Sequence, residues 1–324
     1  MSDSKNIVFM GTPAFAVESL KQLVESGVTV KAVVTVPDKP AGRGLKLVPS
    51  AVKEFALQHN LPVLQPEKLK DEKFIKELQK INADLFVVVA FRMLPEIVWS
   101  MPKYGTINLH GSLLPQYRGA APINWAVING DTKTGATTFF IEKEIDTGKI
   151  IDSVEIPISY TDTAGTVHDI MMVKGAELLV KTVHSIFDGT AKAKEQNAYF
   201  TCENELKAAP KIFKDTCKID WTQNGKKIYN LIRGLSPYPT AYADYYDEKN
   251  ECLSIKIFEA YFVEEKHNKV PGLVVTDHKS YLHIYCKDGY LDIKNLQLPG
   301  KKRMKVDELL RGYKFKGERV ALAR

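Results

Sequence analysis

Cysteine is scarce in this chain of 324 residues: Cys202, Cys217, Cys252 and Cys286 are the only four, and no two share a CxxC-type spacing. That excludes a disulfide-stapled scaffold, and without His or Cys pairs at ligand spacing we expect no metal. No apolar run approaches the ~18 residues that a membrane span requires. Met1 to Lys5 lacks the charged-then-apolar pattern of a signal peptide, so a cytoplasmic protein with no membrane partner is expected. A GxGxxG fingerprint is missing, which argues against a dinucleotide site, and so is the GxSxG elbow of serine hydrolases. Internal repeats and low-complexity tracts are also absent.

What remains is an ordinary globular composition, 44% hydrophobic and 26% charged, on a chain long enough for two domains. The net charge of +6 is unevenly spread. Residues 1–208 hold 23 Lys and Arg against 24 Asp and Glu, whereas residues 209–324 hold 22 against 15. The last 31 residues alone hold 10 against 3. Positive charge gathered in this way suits contact with a polyanion, because neutralising phosphates releases counterions.

Lys5 to Met10, Val28 to Val36 and Ala83 to Ala90 read as strands. The last is almost continuously apolar, as in a parallel sheet covered on both faces. Helical patterns at residues 14–25, 50–59 and 71–81 fall between them, which predicts a doubly wound, Rossmann-like α/β domain. Its ligands belong beyond the carboxyl ends of the strands, where Gly11, Phe91 and Asn108 fall. Residues 37–50 are rich in glycine and proline, so we expect no regular structure there. Lys39, Arg43 and Lys46 make this stretch a mobile positive finger able to clamp RNA phosphates. Residues 163–187 have helical periodicity, with Val167, Ile170, Met171, Leu178, Leu179, Val183 and Ile186 as a core stripe. The boundaries follow: residues 1–189 as the first domain, 190–208 as a linker without periodicity, and 209–324 as a second domain. The second domain has several short, regularly spaced β-rich runs, expected to form a small antiparallel barrel.

The stretch Asn108-Leu109-His110-Gly111-Ser112-Leu113-Leu114-Pro115 follows the β-prone run Gly105 to Ile107. Alternation along a strand aims Asn108 and His110 the same way. An amide can donate to a developing oxyanion, and an imidazole moves protons near neutral pH. Asp146, on a turn between two β-prone segments, can hold the ring's orientation and tautomer, favour its charged form, or take a proton through water. Neither Asn nor His is a strong nucleophile here, so the trio fits acyl transfer between two bound substrates better than covalent catalysis.

This segment, continuing through Tyr117-Arg118-Gly119-Ala120-Ala121-Pro122-Ile123, resembles the core of the formyltransferases that use 10-formyltetrahydrofolate. From Phe9-Met10-Gly11-Thr12-Pro13 to the basic tail, the chain is similar to those members that formylate methionyl-tRNA. The resemblance implies that Asn108, His110 and Asp146 are catalytic. It also implies that Ser112, Leu113, Leu114 and Pro115 contact the folate, and that Phe91, Arg92 and Leu94 lie against its pteridine. The finger bearing Arg43 would enter the tRNA acceptor end. The second domain would be an OB-like barrel in which Arg233, Lys301, Lys302 and Arg303 contact tRNA. The implied partners are methionyl-initiator tRNA and the folate co-substrate, and the implied chain is a monomer. A sugar-nucleotide N-formyltransferase or a formyltetrahydrofolate hydrolase would share the same trio and is the alternative.

Overall fold

Every residue of Asn6–Gly11 and of Leu85–Val89 is shielded from solvent, as central strands of a sheet covered on both faces must be. The structure, a computed structural model, describes residues 5–41, 46–246, 251–315 and 320. Contacts divide the chain into two units, the first of residues 1–119, 134–156 and 168–208, the second of residues 120–133, 157–167 and 209–324.

In chain order the elements are β1 (Asn6–Gly11), α1 (Ala14–Glu25), β2 (Thr29–Val34), β3 (Lys39–Ala41), β4 (Lys46–Val48), α2 (Ala51–Gln58), β5 (Val63–Leu64), α3 (Glu72–Ile81), β6 (Leu85–Val89), α4 (Glu96–Trp99), β7 (Thr106–His110), β8 (Arg118–Gly119), α5 (Pro122–Ile128), β9 (Lys133–Phe140), β10 (Ile150–Pro157) and α6 (Ala164–Asp188). They continue with β11 (Ala208–Ala209), α7 (Gly225–Gly234), β12 (Ala241–Tyr246), β13 (Cys252–Glu264), β14 (Val274–Thr276), β15 (Leu282–Cys286), β16 (Gly289–Gln297), β17 (Met304–Lys305) and α8 (Val306–Leu310).

The first unit is a sheet in the order β10-β9-β7-β6-β1-β2-β5. Strands β5, β2, β1, β6 and β7 run parallel, and β9 returns antiparallel to β7. Alternate residues pack on opposite faces. Val8, Met10, Phe86 and Val88 meet Phe74 and Leu78 of α3 and Leu94 and Val98 near α4. Leu109 meets the face carrying Gly175 of α6, where an added Cβ would lie 3.1 Å from the leucine. The sheet is therefore covered on both sides, as the sequence predicts. Of the expected α6 stripe, Ile170 departs and is exposed.

Two segments differ from expectation. Residues 39–41 and 46–48, within the stretch anticipated as irregular, pair as the ribbon β3–β4, with Lys39 opposite Val48 and Pro40 opposite Leu47. Proline is tolerated because both strands of a two-stranded ribbon are edges. Residues 190–208, anticipated as a linker, belong to the first unit: Lys194 exchanges two backbone hydrogen bonds with Ile150 (2.8 and 2.9 Å), and Gln196–Tyr199 forms a 3-10 turn.

In the second unit the sheet order is β12-β13-β16-β15-β14, with β17 on β16. Its pairings are antiparallel. Val320 bridges Tyr245 of β12 and donates its N–H to the carbonyl of Gly272 (2.9 Å), just ahead of β14. Both edges of the sheet thus meet one residue, which gives a half-barrel around Trp221, Tyr245, Ile257 and Leu291. Segment 120–133 joins this unit through α5: Asn124 Nδ2 donates to the Gly234 carbonyl (2.8 Å), and a Cβ on Gly234 would strike Ile128 at 2.5 Å. Only glycine permits that approach.

Candidate active site and RNA-contacting residues

β7 places Asn108 in register between Val88 of β6 and Phe139 of β9, with His110 two residues on and opposite Thr137. Period-two alternation sends both side chains to the same face at the carboxyl end of the sheet. Asn108 is half-buried, and among the described residues nothing hydrogen-bonds its side-chain amide. His110 is only 6% exposed, with its ring edge-on to Phe139. Its Nε2 donates to the Tyr117 carbonyl at 2.9 Å, and its Nδ1 faces Asp146 Oδ2 at 3.6 Å. A carbonyl only accepts, so Nε2 carries the hydrogen and Nδ1 is the nitrogen left for proton exchange.

Asp146 sits on the β9–β10 loop with φ +56°, a left-handed conformation that Asp tolerates better than most residues. Its Oδ2 accepts from the Gly119 N–H at 2.9 Å. Gly148 lets the loop close, since a Cβ there would come within 1.8 Å of the Phe140 carbonyl oxygen. The loop is also pinned from residue 196. Gln196 Nε2 donates to the carbonyls of Asp146 and Gly148, both at 2.8 Å. Its Oε1 accepts from Arg118 Nε (3.0 Å) and Nη2 (2.6 Å). Sequence reasoning missed Gln196: it lies in a polar stretch without periodicity, and only a tertiary contact distinguishes it.

The candidate folate residues divide into a lining and a support. Phe91 and Leu113 are half-buried, whereas Leu94 is buried in the α3–α4 face and Leu114 packs with Phe139 and Ile150. Pro115 is buried. Ser112 is fully buried, and its hydroxyl donates to the Gln116 carbonyl (2.6 Å), so it shapes the turn. Arg92 donates to the carbonyls of Pro66 (2.8 Å) and Glu67 (2.9 Å), and burial lowers its pKa. Its guanidinium is committed to stapling two sheet-edge loops, while neighbouring Met93 is 73% exposed.

Of the candidate RNA residues on the finger, Lys39 is exposed on β3, Lys46 begins β4, and Arg43 lies outside the described residues. The base of the ribbon is tied down. Lys53 donates to Asp38 Oδ2 (2.7 Å), Gln65 donates to Asp38 Oδ1 (2.8 Å), and the Thr35 and Ser50 hydroxyls share a hydrogen bond at 2.7 Å. The ammonium and amide beside Asp38 hold its carboxyl below the usual range. In the second unit Lys301, Lys302 and Arg303 are all exposed, and Arg303 lies over the Phe258 ring at 4.6 Å.

Arg233, expected to contact tRNA, is buried in the second unit. It is 6% exposed, donates to Asn230 Oδ1 (2.9 Å) and the Asp162 carbonyl (2.9 Å), and covers the Tyr229 ring. Burial lowers its pKa. The amphipathic pattern of α7 turns it inward, and its guanidinium is committed to these contacts within the second unit. Among the described residues, no cluster of three or more His, Cys, Asp or Glu is placed to hold a metal. No helix among them is long and apolar enough to cross a membrane.

Residues 5–183 match the formyl transferase family, and residues 211–314 match the formyl transferase C-terminal domain. The methionyl-tRNA formyltransferase of Bacteroides thetaiotaomicron is 57% identical over 311 residues, 95% of this chain and 96% of that protein. That of Flavobacterium johnsoniae is 52% identical over 312 residues, 96% and 97% of the two. A solved N-formyltransferase from Helicobacter canadensis, in complex with folinic acid and dTDP-3-aminofucose, is similar in fold with a TM-score of 0.64. It shares 20% identity over 93% of this chain and 100% of that one.

Proposed function

The chain belongs to the formyl transferase family, and from that premise we propose that it transfers the formyl group of 10-formyltetrahydrofolate to the amine of methionine esterified to initiator tRNA. The observation that carries the chemistry is the Asn108 amide, without a hydrogen-bond partner among the described residues, at the carboxyl end of the same strand as His110, whose Nδ1 lies 3.6 Å from Asp146 Oδ2. Near-complete coverage of relatives named methionyl-tRNA formyltransferase supports the choice of acceptor. A protein of this family acts on a one-carbon donor, and the residues fit one. Phe91 and Leu113 offer apolar surface for a pteridine, and Asn108 offers a donor for the formyl oxygen.

The amine nitrogen attacks the formyl carbon, and the carbonyl electron pair moves onto oxygen. Asn108 Nδ2 donates to that oxyanion, a contact that strengthens as charge develops. His110 Nδ1 exchanges the proton that must leave the attacking amine and reach the departing folate nitrogen, and the Asp146 carboxylate, 3.6 Å away, stabilises the ring while it carries that proton. Collapse of the tetrahedral carbon restores the carbonyl, breaks its bond to the folate, and leaves formylmethionyl-tRNA and tetrahydrofolate. Residues Lys39, Arg43, Lys46, Lys301, Lys302 and Arg303 contact tRNA phosphates, and residues 209–324 form the main RNA-binding part. The protein acts as a cytoplasmic monomer.

The test offers labelled 10-formyltetrahydrofolate with three acceptors: methionyl initiator tRNA, methionyl elongator tRNA and an amino-sugar nucleotide. Label on the initiator tRNA is expected. Label on the sugar alone, or hydrolysis without transfer, overturns the reading.

A further inference from the structure

We infer that Gln196 is a positioning residue for the reaction: it fixes the Asp146 loop, and through it the carboxylate that faces His110 Nδ1. The inference rests on the formyl-transfer reading above. Asp146 reaches His110 from a short loop in a left-handed backbone conformation, which leaves the carboxylate direction dependent on what holds that backbone. One side chain does so at two points. The Gln196 amide gives one N–H to the Asp146 carbonyl and the other to the Gly148 carbonyl.

The acceptor side of the same amide is equally committed. Arg118 Nε and Nη2 both donate to Oε1. All four hydrogen-bonding positions of the amide are therefore matched, two donors to two carbonyls and two lone pairs to one guanidinium. Turning the amide over would set its N–H groups against the guanidinium and its oxygen against the carbonyls, so the orientation is dictated by the partners. Gly119, next to Arg118, gives its N–H to the Asp146 carboxylate. A closed ring of contacts results: Arg118 side chain, Gln196 amide, Asp146 backbone, Asp146 carboxylate, Gly119 N–H. Gln196 is itself 3% exposed, and the Lys194–Ile150 backbone bridges anchor its segment beside β10. No carboxylate, hydroxyl or apolar side chain of similar size supplies two donors and two acceptors in this arrangement.

The experiment compares wild type, Gln196→Glu, Gln196→Ala and Asp146→Asn, reading kcat, KM for each substrate, the pH profile of kcat and Tm. Gln196→Glu keeps an acceptor for Arg118 but sets oxygens against both loop carbonyls. We expect kcat to fall roughly 10- to 100-fold, the scale of an ångström-sized misplacement. KM for folate and tRNA should stay within about twofold, and the limb of the pH profile governed by the His110–Asp146 pair should move. A residue that serves only the fold would lower Tm and leave the profile of the folded enzyme unchanged. Should Gln196→Ala fail to fold, Gln196→Glu carries the test because its Arg118 contact persists. Wild-type kcat and an unmoved profile in a folded Gln196→Glu, with Asp146→Asn inactive, overturn this inference alone. A wild-type protein that transfers no formyl group overturns the underlying reading as well.

Discussion

His110 has its Nε2 hydrogen committed to the Tyr117 carbonyl, so the proposed proton exchange falls to Nδ1, which faces Asp146. Asp146→Asn keeps the side chain's size but replaces the carboxylate facing Nδ1 with an amide. Transfer should fall by more than tenfold while tRNA affinity, read by gel shift, holds. Arg233 gives the opposite expectation. Arg233→Ala leaves the Asp162 carbonyl and Asn230 Oδ1 without their donor, a loss of about 1–3 kcal/mol for unsatisfied buried groups. Calorimetry should show a lower Tm, and the folded fraction should bind tRNA normally. Thiol titration offers a check independent of function. Burial raises the Cys217 pKa and pushes that of Cys286 up to about 11, whereas Cys202 and Cys252 are exposed. Two thiols should react in the native protein and four after denaturation. At this scale the sequence was most informative where residues act through a strand's alternation, as Asn108 and His110 do. It was silent on Gln196, whose side-chain partners lie 48, 50 and 78 positions away.

Elements show a similar division. The strands and helices of the first sheet were legible because apolar runs and capping residues mark them; Ser50 and Asp71 cap α2 and α3 through backbone N–H groups as their types suggest. The ribbon β3–β4 was not, because glycine and proline argue against strands and its order comes from the Asp38–Lys53–Gln65 tie at its base. Asp38→Ala should speed hydrogen exchange in residues 39–41 and 46–48 and raise KM for tRNA severalfold, with KM for folate unchanged. β15 carries a pH-sensitive group. Burial lowers the His283 pKa, opposed by Asp292, with Lys294, Glu265 and Lys269 adding smaller effects. An unfolded chain then binds a proton at His283 more readily than the native one, so stability is complete above pH ~6.5 and declines as pH falls through the lowered folded value. Urea titrations from pH 7.5 to 5 should show that decline, and His283→Gln should flatten it.

For the whole molecule, composition announced two domains and a basic second half, but contacts placed residues 120–133 and 157–167 with the second unit. Sequence order could not reveal that, since the decision rests on α5 lying against α7 at a glycine. If the basic half binds RNA through phosphates, the logarithm of the association constant should fall linearly with that of salt concentration. Replacing Lys301, Lys302 and Arg303 together by alanine should reduce that slope by about 2 to 3, near one for each lost phosphate contact. The central claim is that one strand-end amide stabilises the oxyanion of formyl transfer. Rapid-quench single-turnover transfer by Asn108→Ala, with both substrates saturating, tests it most directly. The rate should fall ~100- to 1,000-fold, about 2.7–4 kcal/mol of transition-state stabilisation, with tRNA binding unchanged. A transfer rate equal to that of the wild type would contradict the account.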